Sequence, residues 1–342
     1  MKSIERLQSS GVGQRLGINS RTSSLCCMGI KKRPSMEDDS LLQELHSRLG
    51  DKGYQSRIVP VLRLHDLRER IEEIHAHGLL NGEFYQERLT HFSFEPPEVL
   101  PHAKSLIVVA VPQPQIRVLF TWKGEPRQVI IPPTYASETD KVVEGILSDV
   151  LGPQGYHVAR AVLPVKSLAV RSGLGEYGRN NICYVPSMGS FHRLVAFYSD
   201  ITCSDDSWRE PQAMRSCLNC QACSRACPTG AIASDRFLVR AERCITFHNE
   251  RPSEFPAWID PSWHNCLEGC MHCQRVCPEN AHFRDWVEGN QTFSEEETNC
   301  ILKSTPSDRL PHETARKLAQ LCLLEDTHLL GRNLKALLSR QE

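Results

Sequence analysis

The stretch CLNCQACSRACP, residues 217–228, spaces four cysteines as C-x2-C-x2-C-x3-C and ends them on a proline. A second stretch, CMHCQRVCP at residues 270–278, repeats the later part of that phrase, C-x2-C-x3-C-P. A loop that offers a thiolate at every third position can wrap one face of an iron–sulfur cubane. The cysteine before the proline is carried off to a neighbouring cluster. The pattern therefore predicts two [4Fe–4S] clusters, with Cys217, Cys220, Cys223 and Cys277 on one and Cys227, Cys270 and Cys273 on the other. That second cluster needs a fourth thiolate, and spacing leaves Cys244 and Cys266 as candidates, with Cys244 slightly ahead. Paired CxxC units also build four-cysteine zinc sites, but zinc does not call for the proline-terminated phrase twice.

The chain has 342 residues and fifteen cysteines, nine of them between Cys217 and Cys277. In a chain of this length such clustering reads as metal binding, not as a disulfide framework. Cys183, Cys203, Cys300 and Cys322 read as small buried apolar residues, and Cys26 with Cys27 as an incidental pair. The formal net charge is −1, with 40% hydrophobic and 24% charged residues. That balance implies no broad attraction to nucleic acid or to a membrane surface. No apolar run reaches the length of a membrane span, and the N-terminus shows no basic-then-apolar signal and no twin-arginine pair. The expectation is a cytoplasmic protein with no membrane partner.

Outward from the cysteines, the chain divides into four parts. Residues 1–39 are expected to be a disordered tail, Ser-rich and basic up to residue 35, with Met28 and Met36 as alternative starts. Residues 40–205 read as a mixed α/β (α+β) domain. Leu41, Leu42, Leu45 and Leu49 recur at helical spacing, as do Leu67, Ile71 and Ile74. The run 105–111 (SLIVVAV) predicts a buried strand, 118–122 and 127–131 a hairpin, and Ser137 the start of a helix to about Leu151. Strands return at 181–185 and 194–198. Residues 206–285 form a bacterial ferredoxin-like two-cluster segment, and 286–342 a short helical C-terminus with helices at 314–324 and 329–338.

Upstream of the cysteines lies a segment that no ferredoxin needs: Arg171, Gly173, Leu174, Gly175, Gly178 and Asn180, then Gly189, Ser190 and Phe191. Combined with Cys244 inside Arg243-Cys244-Ile245-Thr246-Phe247 and both cysteine runs, it resembles the epoxyqueuosine reductase family, relatives of the reductive dehalogenases. The resemblance covers about residues 100–285. It implies Cys244 as the missing ligand, and a base-off cobalamin bound by the α/β domain next to one cluster. Cofactor contacts are then expected from Arg171, Gly173, Gly175, Gly178, Arg179, Asn180, Gly189, Ser190 and Phe191. Gly173, Gly175 and Gly178 also spell GxGxxG, but a helical stretch precedes them and a strand follows, the reverse of a dinucleotide-binding turn. A plain glycine turn is the structural alternative to a corrinoid-approach loop.

Two departures from the family bear on activity. Its aspartate, the proton donor before the glycine loop, falls on Ala161 or Ala159 by either alignment. Its tRNA enzymes end in helical repeats, which the short stretch after Cys277 does not match. The expected function is a cluster-fed, corrinoid-dependent reductase of a small-molecule substrate, supplied by an external low-potential donor of ferredoxin or flavodoxin type. Tyr177, Glu176 and Lys166 are the candidate proton donors. A non-catalytic electron carrier is the competing class. A tRNA-modifying enzyme is the third, resting on Arg309, Arg316, Lys317, Arg332, Lys335 and Arg340 as a modest basic face.

Overall fold

Strand β2 (Ser105–Pro112) shows how the first sheet organises its surroundings. Successive side chains of a strand point to opposite faces. Accordingly Leu106, Val108 and Ala110 enter one core while Ile107, Val109 and Val111 enter another. The computed structural model describes residues 36–339, and the expected tail at residues 1–35, with Cys26 and Cys27, lies outside them. Four strands make this sheet, in the order β1 (Gln55–Pro60), β2, β8 (His192–Ser199) and β5 (Val158–Arg160), all antiparallel. Helices Met36–Gly50 and Glu138–Leu151 cover one face, through Leu42, Leu45, Leu49, Val143 and Leu147. Leu64 and Leu67 from helix Leu64–Ala76, with Leu168 and Val170 from helix Val165–Arg171, cover the other. Both faces are buried, so the central strands read as continuous apolar runs although the sheet is antiparallel.

Helix Met36–Gly50 begins four residues before the expected boundary at Ser40. Glu37, Asp38 and Asp39 fill its first turn, where negative charge complements the unpaired amides. Ser137 does sit at the N-cap of Glu138–Leu151, but its side chain makes no capping bond. The strand expected at 181–185 shrinks to Cys183–Tyr184 (β7), paired only with Glu176–Tyr177 (β6).

A second sheet joins a hairpin from the first half of the chain to a strand that follows the cysteine-rich segment. Strands β3 (Gln115–Trp122) and β4 (Glu125–Ile131) form the expected hairpin, and β9 (Val287–Phe293) pairs with β3 in parallel. The C-terminal part is therefore not wholly helical, as the sequence suggested. Strand β9 is polar and contains Gly289, so its pattern does not announce a strand. Helices Glu295–Leu302, His312–Gln320 and Thr327–Ser339 pack on this sheet, burying Val118, Phe120, Ile131, Phe293, Leu318, Leu330 and Leu334 together. Between β4 and β9 the chain passes through the α/β sheet and then the whole cysteine-rich segment, whose helices, such as Ala222–Ala226 and His272–Arg275, span only one turn. No helix among the described residues is long and apolar enough to cross a membrane.

Candidate functional site

The short helices Ala222–Ala226 and His272–Arg275 carry the two cysteine runs past each other. This brings Cys217, Cys220, Cys223 and Cys277 around one recess, together with Gly178, Arg179, Asn180, Tyr184 and Pro278. The first three cysteines and the last come from runs fifty residues apart in sequence, as the spacing required. Burial, and then the neighbouring Cys217 and Cys277 thiolates, push the Cys223 thiol up to about 11.

Cys227, Cys244, Cys270 and Cys273 meet elsewhere, at the wall of a cavity of about 720 Å³. Burial pushes the Cys270 thiol up to about 11, with the Cys244 and Cys227 thiolates adding to the effect. Cys244 ends a turn and starts helix Ile245–Asn249, which aims its sulfur at this group. Cys266, the rival by spacing, is fully buried against Ile130, Phe191 and Met271 and donates its S–H to Asn265 Oδ1 at 2.9 Å. Among the described residues no three cysteine sulfurs lie within 4.8 Å of one another. A tetrahedral zinc site would draw its sulfurs to about 3.8 Å, given Zn–S bonds of about 2.3 Å.

Arg179 caps the first quartet. Its backbone amide points at Cys217 Sγ at 3.4 Å, and its guanidinium donates to the carbonyls of Cys217 (2.9 Å) and Cys220 (3.1 Å). Asn180 borders both recesses and donates to Tyr184 Oη at 3.0 Å, while the Tyr184 hydroxyl bonds Cys277.

Of the residues expected around a cofactor, Lys166, Tyr177, Asn180 and Ser190 line the large cavity. Glu176 and Arg171 are not among its lining residues. Arg171 is turned away, pairing with Glu210 at 3.1 Å and stacking on the Trp208 ring at 5.0 Å. Phe191 is fully buried in a small apolar cluster with Ile130, Cys266 and Met271. The glycines answer to the protein itself. A Cβ at Gly178 would lie 2.5 Å from Asn180 Oδ1 and from the Tyr184 ring, and one at Gly175 would lie 2.6 Å from the Tyr184 carbonyl. Gly189 has φ +56°, and a Cβ there would fall 2.3 Å from Asn280 Oδ1. These are close-packing glycines, and none of the three is among the residues that line the cavity, although Tyr177 and Asn180 of the same loop are.

The cavity wall also contains residues that no motif marked. Leu79, Leu80, Phe84, Arg88, Leu89 and Phe92 form one side. Their segment is tied to the cysteine region by Arg251, which pairs with Glu83 at 3.1 Å and Glu87 at 2.5 Å, and by the Phe84–Phe247 edge contact at 5.6 Å. Tyr135, His192, Glu250 and His272 also line it. His192 Nε2 pairs with the Cys183 carbonyl at 3.1 Å, while buried Nδ1 has no partner. Burial lowers the His192 pKa to about 4, so the ring is neutral and Nδ1 is a free acceptor. Burial also pushes Tyr177 up to about 12, keeping its hydroxyl protonated.

The family description "4Fe-4S double cluster binding domain" matches residues 216–280. The epoxyqueuosine reductase of Staphylococcus aureus is 27% identical over 208 residues, covering 53% of this chain and 49% of that protein. A tetrachloroethene reductive dehalogenase of Desulfitobacterium hafniense is 33% identical over 84 residues, 24% of this chain and 15% of its own. The chain thus spans about half the length of the first of these curated relatives and less of the second. In fold it is similar to epoxyqueuosine reductase from Bacillus subtilis, with a TM-score of 0.63, 21% identity, and coverage of 89% of this chain and 82% of that one. It also matches an epoxyqueuosine reductase solved with a tRNA-Tyr stem loop, with a TM-score of 0.57, 21% identity, and coverage of 87% and 84%. The chain is thus similar to epoxyqueuosine reductases and, over a shorter stretch, to a reductive dehalogenase, and it carries a double-cluster binding segment at residues 216–280.

Proposed function

We propose that this protein is a cytoplasmic oxidoreductase in which two [4Fe–4S] clusters deliver electrons to a base-off cobalamin that reduces a small substrate. One observation carries the reading: the quartet Cys227, Cys244, Cys270 and Cys273 opens on the same cavity as Lys166, Tyr177, Asn180, Ser190 and His192. At about 720 Å³ the cavity sits high in the roughly 300–1,000 Å³ range of cofactor and ligand pockets. Its wall is mostly apolar with a few convergent polar groups. The unpartnered Nδ1 of buried His192 suits an amide N–H at the edge of a macrocycle fringed with carboxamides. A corrinoid supplies a metal that cycles to a low-valent, strongly nucleophilic state.

The chain's own residues do the rest. Cys217, Cys220, Cys223 and Cys277, away from the cavity, would hold the cluster that a ferredoxin- or flavodoxin-type donor reduces, and Cys227, Cys244, Cys270 and Cys273 would hold the one beside the cavity. Leu79, Leu80, Phe84 and Phe92 exclude water, which protects a low-potential site from protons and oxygen. Tyr177, whose hydroxyl keeps its proton, and Lys166 stand at the cavity wall, where they can orient a substrate or donate to it. Glu176, away from that wall, has no such role.

The tRNA reading draws support from the fold shared with the tRNA-bound relative. Three of the six cations on which it rested are engaged within the fold. Arg316 pairs with Glu313, Lys317 with Glu297 at 2.8 Å, and Arg332 donates to backbone carbonyls of residues 248–253. A small substrate therefore remains the preferred reading. The test is anaerobic reconstitution with iron, sulfide and cobalamin, then desalting and metal analysis with EPR. About eight Fe with one retained Co in a base-off signal supports the reductase. Full iron without cobalt overturns the corrinoid and leaves an electron carrier.

A further inference from the structure

Glu250 is the one carboxylate among the described residues that line the large cavity. It follows helix Ile245–Asn249, which starts at Cys244, so the cavity-side quartet and this acid are presented by one short piece of chain. Its side chain keeps 29% of its surface accessible. Tyr135 donates its hydroxyl to Glu250 Oε1. Arg88 bonds the Glu250 carbonyl at 2.9 Å and approaches Oε2 at 3.4 Å.

We infer that Glu250 is the acid that supplies a proton to a substrate reduced in this cavity, which rests on the reductase reading above. The groups facing it are Tyr135, Arg88, Lys166, Glu268 and Asp326, contributed by five different segments. Desolvation raises its pKa, as expected for a carboxyl set in an apolar wall, and this favours the neutral, proton-bearing form. Arg88, Lys166 and the Tyr135 hydroxyl oppose that shift and are placed to stabilise the carboxylate once the proton has left. The balance is simple. Two electrons from a one-electron ferredoxin- or flavodoxin-class donor, relayed by the clusters, go to the substrate. The Glu250 O–H bond breaks, its proton forms the new bond at the reduced atom, and solvent supplies the second proton and reprotonates Glu250.

The test uses full-length, iron-loaded, cobalt-free protein, so that failure of the corrinoid reading leaves it intact. Infrared difference spectra between acid and alkaline samples should show a protonated-carboxyl C=O band that moves on ¹³C-glutamate labelling and loses intensity in Glu250→Gln, the remainder belonging to other acids such as Glu268. EPR-monitored titrations should show a cavity-side cluster whose midpoint potential falls as pH rises through the range in which that band is lost, and a flat response in Glu250→Gln. The other cluster should be flat in both. If Glu250→Gln does not fold, Glu250→Asp keeps the carboxyl, and the part of the band owed to residue 250 should then no longer move on ¹³C-glutamate labelling. A carboxyl band of equal intensity in wild type and Glu250→Gln overturns the inference, and so does a cavity-side potential that keeps its pH dependence in Glu250→Gln.

Discussion

Asn280 holds Ser190 through both of its amide atoms: Oδ1 accepts the Ser190 backbone N–H at 2.9 Å, and Nδ2 donates to Ser190 Oγ at 2.8 Å. Ser190 Oγ in turn donates to Gln274 Oε1 at 2.8 Å, and Asn280 Nδ2 also reaches the Gln274 carbonyl at 2.9 Å. Asn280 lies three residues beyond Cys277, and Ser190 two residues before strand β8. The bond therefore ties the second cysteine run to the edge of the α/β sheet. Asn280 is fully buried, so these groups have no water to fall back on.

Replacing Asn280 with Leu should leave the Ser190 amide without its acceptor and cost about 2–3 kcal/mol. Gly189→Ala should cost at least as much, because the residue combines a positive φ with a contact that admits no Cβ. Unfolding of the iron-loaded variants under anaerobic conditions checks both. Stability equal to wild type in either would show that the junction carries no strain.

Cys244→Ser should retain about four Fe per chain in place of about eight, whereas Cys266→Ser should keep the full complement. Iron and sulfide analysis after identical reconstitution separates the two. The reverse pattern would make Cys266 the ligand and Cys244 a bystander.

Arg179→Gln should lower the midpoint potential of the cluster at Cys217, Cys220, Cys223 and Cys277. Removing a positive charge from beside a cluster disfavours adding an electron. Arg179→Lys should shift it less, since the charge stays while the bonds to the Cys217 and Cys220 carbonyls are lost. Redox titration followed by EPR reads both, with the cavity-side cluster as internal control.

His192 makes an acid-side prediction. Its pKa falls from 6.5 unfolded to about 4 folded. The unfolded state therefore binds more protons between those values, and stability falls as pH drops through that window. The loss amounts to about 3 kcal/mol by the acid end. Denaturant titrations at several pH values should show this slope in wild type and a shallower one in His192→Gln.

The parts of the molecule legible in the sequence are those whose cause is local. A thiolate at every third position, ended by a proline, is a local device, and Cys217–Pro228 could be read without knowing its neighbours. Strand β2 was legible because both of its faces are buried, and the hairpin because its arms flank a two-residue turn. Strands β1 and β9 were not, since QSRIVP and VEGNQTF owe their extended form to the partners they pair with. The glycine loop is ambiguous in the sequence for a related reason. Gly175, Gly178 and Gly189 look alike whether a cofactor or a neighbouring side chain needs the space, and here Tyr184 and Asn280 take it. The cavity was the least legible feature. Arg88, Tyr135, His192 and Glu250 come from four distant segments, and no spacing rule links them. One faint signal existed for Glu250, its place six residues after Cys244 on the same short element.

The parallel pairing of β3 with β9 bears on the order in which a nascent chain can be finished. Strand β9 leaves the ribosome after every one of the eight cysteines, yet its partner was made before the first of them. The small sheet thus closes like a clasp behind the metal segment, and until residues 287–293 arrive the hairpin keeps a bare edge. Synthesis itself leaves an interval in which all the thiolates exist and the clasp is still open, the stage at which a scaffold protein could hand over preformed clusters.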